Sequence, residues 1–388
     1  MPIMLKRLLN SLPILLTLIV LGVNPALAQV NGDTEVLKVH SKSFVGSADF
    51  IVTLPSKYHE NKDQKYLVLV DFHPRSHAYL AGLHDWMSHN GAWPWLETII
   101  ITAPDGHEGL GKLKSFDNAQ QGQALLDFIG QDLLAAVDAK YRTNGFRILS
   151  GFTGNASISL FTLLHRPELF NAYIAASPIL SDNHLSLMTD AINALPDLAR
   201  KLTTQPRMLF LSRADSGYEQ QQIADFDKFT ELLKLKAPKN LIWRSQLFEG
   251  SYYMSQPALA TIYAIEMFFD DIHKSVEPES ALGKQGPQAI YEHYQWLSQR
   301  YGFEVSAVDS LLNLAKSKTD LKQALAVGTF CVAKHPQDAH AHHGLAVTLA
   351  ALGQSSDAIA ELTLAMSLTK HPFYLNRWGK LLTEYQTE

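Results

Sequence analysis

Residues 146–157 read FRILSGFTGNAS, and how they are read decides the fold. Phe146 to Ser150 is a short β-rich run. Gly151 and Gly154 then bracket a tight turn, and Ala156 opens an apolar stretch with helical spacing. A strand that turns sharply into a helix leaves the turn residue standing clear of both elements. Here that residue is Thr153, in the frame Gly151-Phe152-Thr153-Gly154-Asn155. The frame departs twice from G-x-S-x-G: a threonine replaces the serine and an asparagine the second glycine.

Outward from this turn, strands and helices alternate. Apolar or alternating runs at 36–40, 49–54, 66–72, 98–103, 146–150, 172–177, 207–212 and 241–246 predict eight strands. Helical spacing is expected over Gln123–Tyr141, near 220–236 and over about 257–270. Such alternation implies an α/β layered domain with a mainly parallel central sheet.

Of the 388 residues, 46% are hydrophobic and 18% charged, which suits a packed core and excludes global disorder. The net charge is −5 and no polybasic run occurs, which argues against nucleic acid as a partner. Lys6 and Arg7, the apolar stretch Leu8–Val23 and the Ala26-Leu27-Ala28 site predict a signal peptide over 1–28, with Gln29 as the mature start. Its removal would leave 360 residues with a net charge of −7. No later stretch is long and apolar enough to span a bilayer, so a periplasmic or secreted protein is expected. Cys331 is the only cysteine, so no intramolecular disulfide can form.

The strand pattern stops near 272. Residues 29–272 read as the α/β domain, 273–288 as a linker and 289–388 as an all-α domain. Ala324, Gly328, Cys331 and Pro336, then Leu345, Ala346, Leu349, Gly353, Ala358, Leu362 and Ala365, fit about two tetratricopeptide-like repeats. His340, His342 and His343 cluster there without the spacing of a metal site, and no phosphate-binding glycine loop occurs. No metal or cofactor is expected.

Four stretches together resemble the bacterial esterase family of α/β-hydrolases, the group containing the siderophore-ester hydrolases and S-formylglutathione hydrolase. They are YRTNGFRILSGFTGN (141–155), HRPELFNAYIAASP (165–178), LFLS (209–212) and LFEGSYYMS (247–255). YEHYQWLSQRYGFEVS (291–306) resembles a segment joining such a domain to tetratricopeptide repeats. The resemblance implies an α/β-hydrolase fold followed by a helical repeat domain.

It also implies a nucleophile at Thr153, a histidine position occupied by Tyr253, and an acid position falling on Asp215 or, failing that, Glu219. The oxyanion donors would be the amide of Gly154 and one from His73 or Arg75, since Pro74 has none. A phenol is a poor base at neutral pH, and threonine's methyl crowds an attacking hydroxyl. His73 is the best-placed candidate for a replacement base. The segment holding His73, Arg75, His77, His84, Asp85, Trp86 and His89 reads as a loop that either lines a pocket mouth or covers the sheet edge. Arg75, Trp86 and Asn155 are the candidate binding residues.

Two functions follow. One is a pseudo-hydrolase with a degenerate triad, holding a small ester or sugar-like ligand in its pocket and a protein partner on its repeats. The other is an active carboxylic ester hydrolase using Thr153 with an unconventional base.

Overall fold

A computed structural model describes residues 32–42, 47–91, 93–103, 119–181, 185–202 and 205–387. The expected signal peptide lies outside the described residues. Eight strands form one sheet: β1 (Thr34–His40), β2 (Ser47–Thr53), β3 (Tyr66–Asp71), β4 (Thr98–Thr102), β5 (Thr143–Phe152), β6 (Ala172–Ala176), β7 (Arg207–Ala214) and β8 (Leu241–Phe248). Their order is β1-β2-β4-β3-β5-β6-β7-β8. β1 and β2 are antiparallel to their neighbours, and β4 to β8 run parallel. Every residue of β3, β4 and β6 is buried, as strands covered on both faces must be.

Two helical layers cover the sheet. On one face lie α2 (Ala119–Asp127) continuing through a π turn (Phe128–Leu133) into α3 (Leu134–Lys140), then α4 (Gly154–His165), α5 (Leu187–Lys201) and α6 (Ile223–Lys236). The opposite face holds α1 (Ser76–Ser88) and α7 (Gln256–His273). The chain after β3, expected as a loop, instead contains the thirteen residues of α1. Its buried positions Ser76, Leu80, Ala81, His84 and Met87 do follow helical spacing. Serine and histidine among them hide that stripe from a purely apolar reading.

The helical tail comprises α8 (Pro287–Tyr301), α9 (Val308–Lys316), α10 (Leu321–Lys334), α11 (Ala339–Ala351), α12 (Ser355–Ser367) and α13 (Pro372–Thr387). It does not hang from a solvated linker. Val276 is buried and its amide donates to Ser310 Oγ at 2.8 Å. The Tyr301 hydroxyl donates to the Phe268 carbonyl at 2.7 Å, and Arg300 pairs with Asp271 at 2.7 Å. Phe146 of β5, Phe269 of α7 and Tyr301 of α8 share one hydrophobic cluster. The sheet's back face and the first tail helices therefore form a single core.

Candidate active site

The parallel ladder delivers the chain to the turn. β5 pairs with β6 up to Phe152, and the Thr153 amide extends the ladder by donating to the Ala176 carbonyl at 3.0 Å. Thr153 then takes φ 55° and ψ −119°. Those are the angles of the first central residue of a type II′ turn, which glycine ordinarily fills. A β-branched residue held there is strained by roughly 1–3 kcal/mol. The helix α4 begins at the next residue, so Gly154 N–H is one of its four unpaired amides.

The tightest approach is at Gly151. A Cβ there would lie 2.3 Å from the carbonyl carbon of Asn155 and 2.6 Å from the amide of Ala156. The first glycine of the frame thus lets the helix cross the strand. Asn155 sits half-buried in the first turn of α4.

Tyr253, in the single turn after β8, lies close enough to the Thr153 side chain for that hydroxyl to act on its phenol. Its ring packs on Phe152 at 4.8 Å and on Tyr218 at 6.0 Å. Burial raises its pKa above the usual phenol value, and the charge of Glu219 raises it further, against the opposing hydrogen bond with Thr153.

Asp215 and Glu219, the two carboxylates expected near the acid position, sit in different settings. Asp215 is exposed and its Oδ1 accepts the Gly250 amide at 3.0 Å, tying the loop after β7 to the loop after β8. Glu219 is 1% exposed, and its charge reaches Tyr253. It accepts from the Ala214 amide at 3.0 Å, from Ser216 Oγ at 3.0 Å and from Ser177 Oγ. Those neutral donors hold a buried carboxylate in place.

The turn after β3 spends its amides internally. The His73 amide donates to Asp71 Oδ1 at 2.8 Å, and the Arg75 amide to His73 Nδ1 at 3.2 Å. Pro74 has no amide. Neither expected partner for Gly154 therefore points an uncommitted N–H at the elbow. An accepting Nδ1 on neutral His73 also places the ring proton on Nε2, making that nitrogen a donor. Asp71 itself is buried, and burial pushes its pKa up to about 6 against the hydrogen bonds from His73, Ser150 and Ser76.

The remaining candidates on α1 are dispersed. Arg75 is exposed at the helix start, and Trp86 is 73% exposed eleven residues further on. At about 1.5 Å per residue that is roughly 16 Å down the sheet, away from Thr153. His84 is a core residue: its Nε2 accepts the Thr98 amide at 3.0 Å and its ring meets Trp95 edge-on. Burial drives its pKa down to about 4, against a hydrogen bond to the Leu96 carbonyl. His77 lies 3.3 Å from Thr53 Oγ1 and His89 bonds the Trp86 carbonyl. Among the described residues no cluster of three or more histidine, cysteine or acidic side chains is arranged to hold a metal. Nor, among them, is any helix long and apolar enough to cross a membrane.

A mainly parallel eight-stranded sheet whose central strand ends in a strained hydroxyl residue at a helix N-terminus defines an α/β-hydrolase. The family model described as "Putative esterase" matches residues 41–248, just over half of the chain, and the chain belongs to that family. Among solved structures it is similar to an uncharacterised protein from Capnocytophaga ochracea (12% identity, TM-score 0.64, covering 92% of this chain and all of that one). It is also similar to an IroE-like serine hydrolase from Shewanella oneidensis (17%, 0.56, 77% and 99%). A third is the siderophore hydrolase EstB from Aspergillus nidulans (16%, 0.50, 61% and 96%). At these identities the likeness is one of fold. A search of curated proteins returns no significant match.

Proposed function

We propose that this chain is an exported member of the esterase family whose Thr153 pocket holds a small ester or sugar-like ligand without hydrolysing it, and whose helical tail binds a protein partner. The carrying observation is the Tyr253 phenol on the Thr153 hydroxyl. Hydrolysis through Thr153 needs a group there that accepts a proton near neutral pH. A neutral phenol with a pKa raised by burial and by Glu219 retains its own proton and accepts no second one. The committed amides of His73 and Arg75 support the same reading, since an oxyanion would meet one helix amide instead of two donors. Export rests on the leader pattern at 1–28.

The repeat reading of the tail draws support from its period. α10 begins at Leu321 and α12 at Ser355, 34 residues later. Ala324 and Ala358, and likewise Cys331 and Ala365, are buried at matching places. The test is hydrolysis of p-nitrophenyl acetate and butyrate by the purified protein beside Thr153→Ala. The expected result is no rate that depends on Thr153. A rate that Thr153→Ala abolishes establishes an active threonine esterase instead.

A further inference from the structure

We propose that the cleft between the loops after β7 and β8 holds the ammonium group of a small organic cation. This rests on the reading of the Thr153 pocket as a ligand site and gives that ligand its charged end. The cleft has a volume of about 570 Å³. Asp215 to Tyr218 line one side and Gly250 to Tyr252 the other. The bond from the Gly250 amide to Asp215 Oδ1, at 3.0 Å, ties the two sides together. The Tyr218 ring stacks on Tyr253 at 6.0 Å and 27°, and Tyr253 packs on Phe152 at 4.8 Å. One ring therefore separates the cleft from the elbow.

Aromatic walls set this cleft apart. Tyr218 is 83% exposed and Tyr252 81%, more than any other large hydrophobic side chain among the described residues. Both line the same cavity. Exposed rings gathered at a cavity mark a recognition site. The face of a tyrosine ring is negative and attracts a cation laid on it.

Charge selects the ligand. Among the described residues lining the cleft, Asp215 alone is charged. Its Oδ1 is engaged by the Gly250 amide, which leaves Oδ2 to a ligand. Four residues on, Glu219 is 1% exposed and is held by neutral donors, the Ala214 amide and the hydroxyls of Ser216 and Ser177. Its charge already acts on Tyr253, the ring against which Tyr218 stacks. Ring faces and carboxylates thus favour a positive ligand together. An anion would meet no cation among these residues. An acyl chain would meet Ser216, Gly217, Gly250 and Ser251, with no aliphatic side chain between the rings. A neutral sugar would stack on the tyrosines but gain nothing from the carboxylate field. An ammonium group uses both.

The test is isothermal titration calorimetry of the full chain with choline, beside neohexyl alcohol, its uncharged carbon isostere. Contacts with exposed rings and one exposed ion pair predict that choline binds about tenfold tighter, a margin that shrinks at high salt. Asp215→Asn can still accept the Gly250 amide, so it should keep the loops tied and cut the margin to about threefold. Tyr218→Phe and Tyr252→Phe should bind choline as the parent does. Tyr218→Leu with Tyr252→Leu, both exposed, should lose choline at unchanged circular dichroism. Equal affinity for choline and its isostere, no binding of choline, or undiminished binding by the leucine double variant overturns the proposal. Binding of cellobiose that the phenylalanine variants weaken, with none of choline, overturns it in favour of a sugar. Hydrolysis of p-nitrophenyl acetate that depends on Thr153 would instead overturn the non-hydrolytic reading and leave choline binding standing.

Discussion

Replacing Thr153 by glycine and by alanine should separate backbone strain from side-chain chemistry at the elbow. Thr153 holds φ 55° and ψ −119°, a conformation that costs an L-residue about 1–3 kcal/mol and glycine almost nothing. Alanine keeps the Cβ and therefore the strain, and loses the hydroxyl that acts on Tyr253. Glycine loses the same hydroxyl but sheds the strain. Against this stands glycine's extra freedom in the unfolded chain, about 0.5–1 kcal/mol. Thr153→Gly should therefore be more stable than Thr153→Ala by about 1–2 kcal/mol, near or above the parent protein. Urea unfolding followed by tryptophan fluorescence measures the ranking. If alanine proves as stable as glycine, the turn relaxes when the threonine is removed, and the strain belongs to that side chain and not to the crossing of β5 and α4.

Other outcomes follow from the same geometry. Gly151→Ala should destabilise by at least about 1–3 kcal/mol, because its Cβ meets backbone atoms of Asn155 at 2.3 Å; wild-type stability in urea would contradict the close crossing. Thr153→Ser with Tyr253→His should gain turnover of p-nitrophenyl acetate, and adding Glu219→Gln should remove it while Asp215→Asn does not. The reverse order would make Asp215 the orienting acid. His84, pushed down to about 4, binds its proton in the unfolded chain first, so its contribution is lost as pH falls from about 6.5 to 4, by about 3 kcal/mol. Asp71, pushed up to about 6, acts oppositely: the folded chain holds its proton longer, and stability is lost as pH rises from about 4 to 6. Asp71→Asn should thus steepen the rise in stability between pH 4 and 6.5, and an unchanged slope in urea titrations would count against its buried ionisation.

The strands were legible because their burial is nearly one-sided in composition. TIIIT and YLVLVD admit little else, and all eight expected strands are present within a few residues. The elbow was legible through its glycines, and the resemblance carried by LFEGSYYMS put Tyr253 at the position that faces Thr153. What stayed hidden depends on contacts that spacing does not encode. Whether His84 lines a pocket or covers the sheet stays open in the sequence, because a histidine buried against backbone groups is indistinguishable there from an exposed one. The backbone amides of His73 and Arg75 carry no sequence mark of where they point. Glu219 ranked below Asp215 because burial, and not position, gives it reach to Tyr253. The expected linker contains proline, glycine and charge, yet Val276 and Gly283 are buried within it.

The shared core behind the sheet also bears on how the tail can be studied. The family match ends at residue 248, and a cut near 272 looks natural from the sequence. Such a truncation would strip Tyr301 from Phe146 and Phe269 and bare the back of the sheet to water. The shortened chain would then fail for want of a covering layer, whatever the tail binds. Point changes on the outer helices, which leave that seam intact, are the way to silence the tail while keeping the fold.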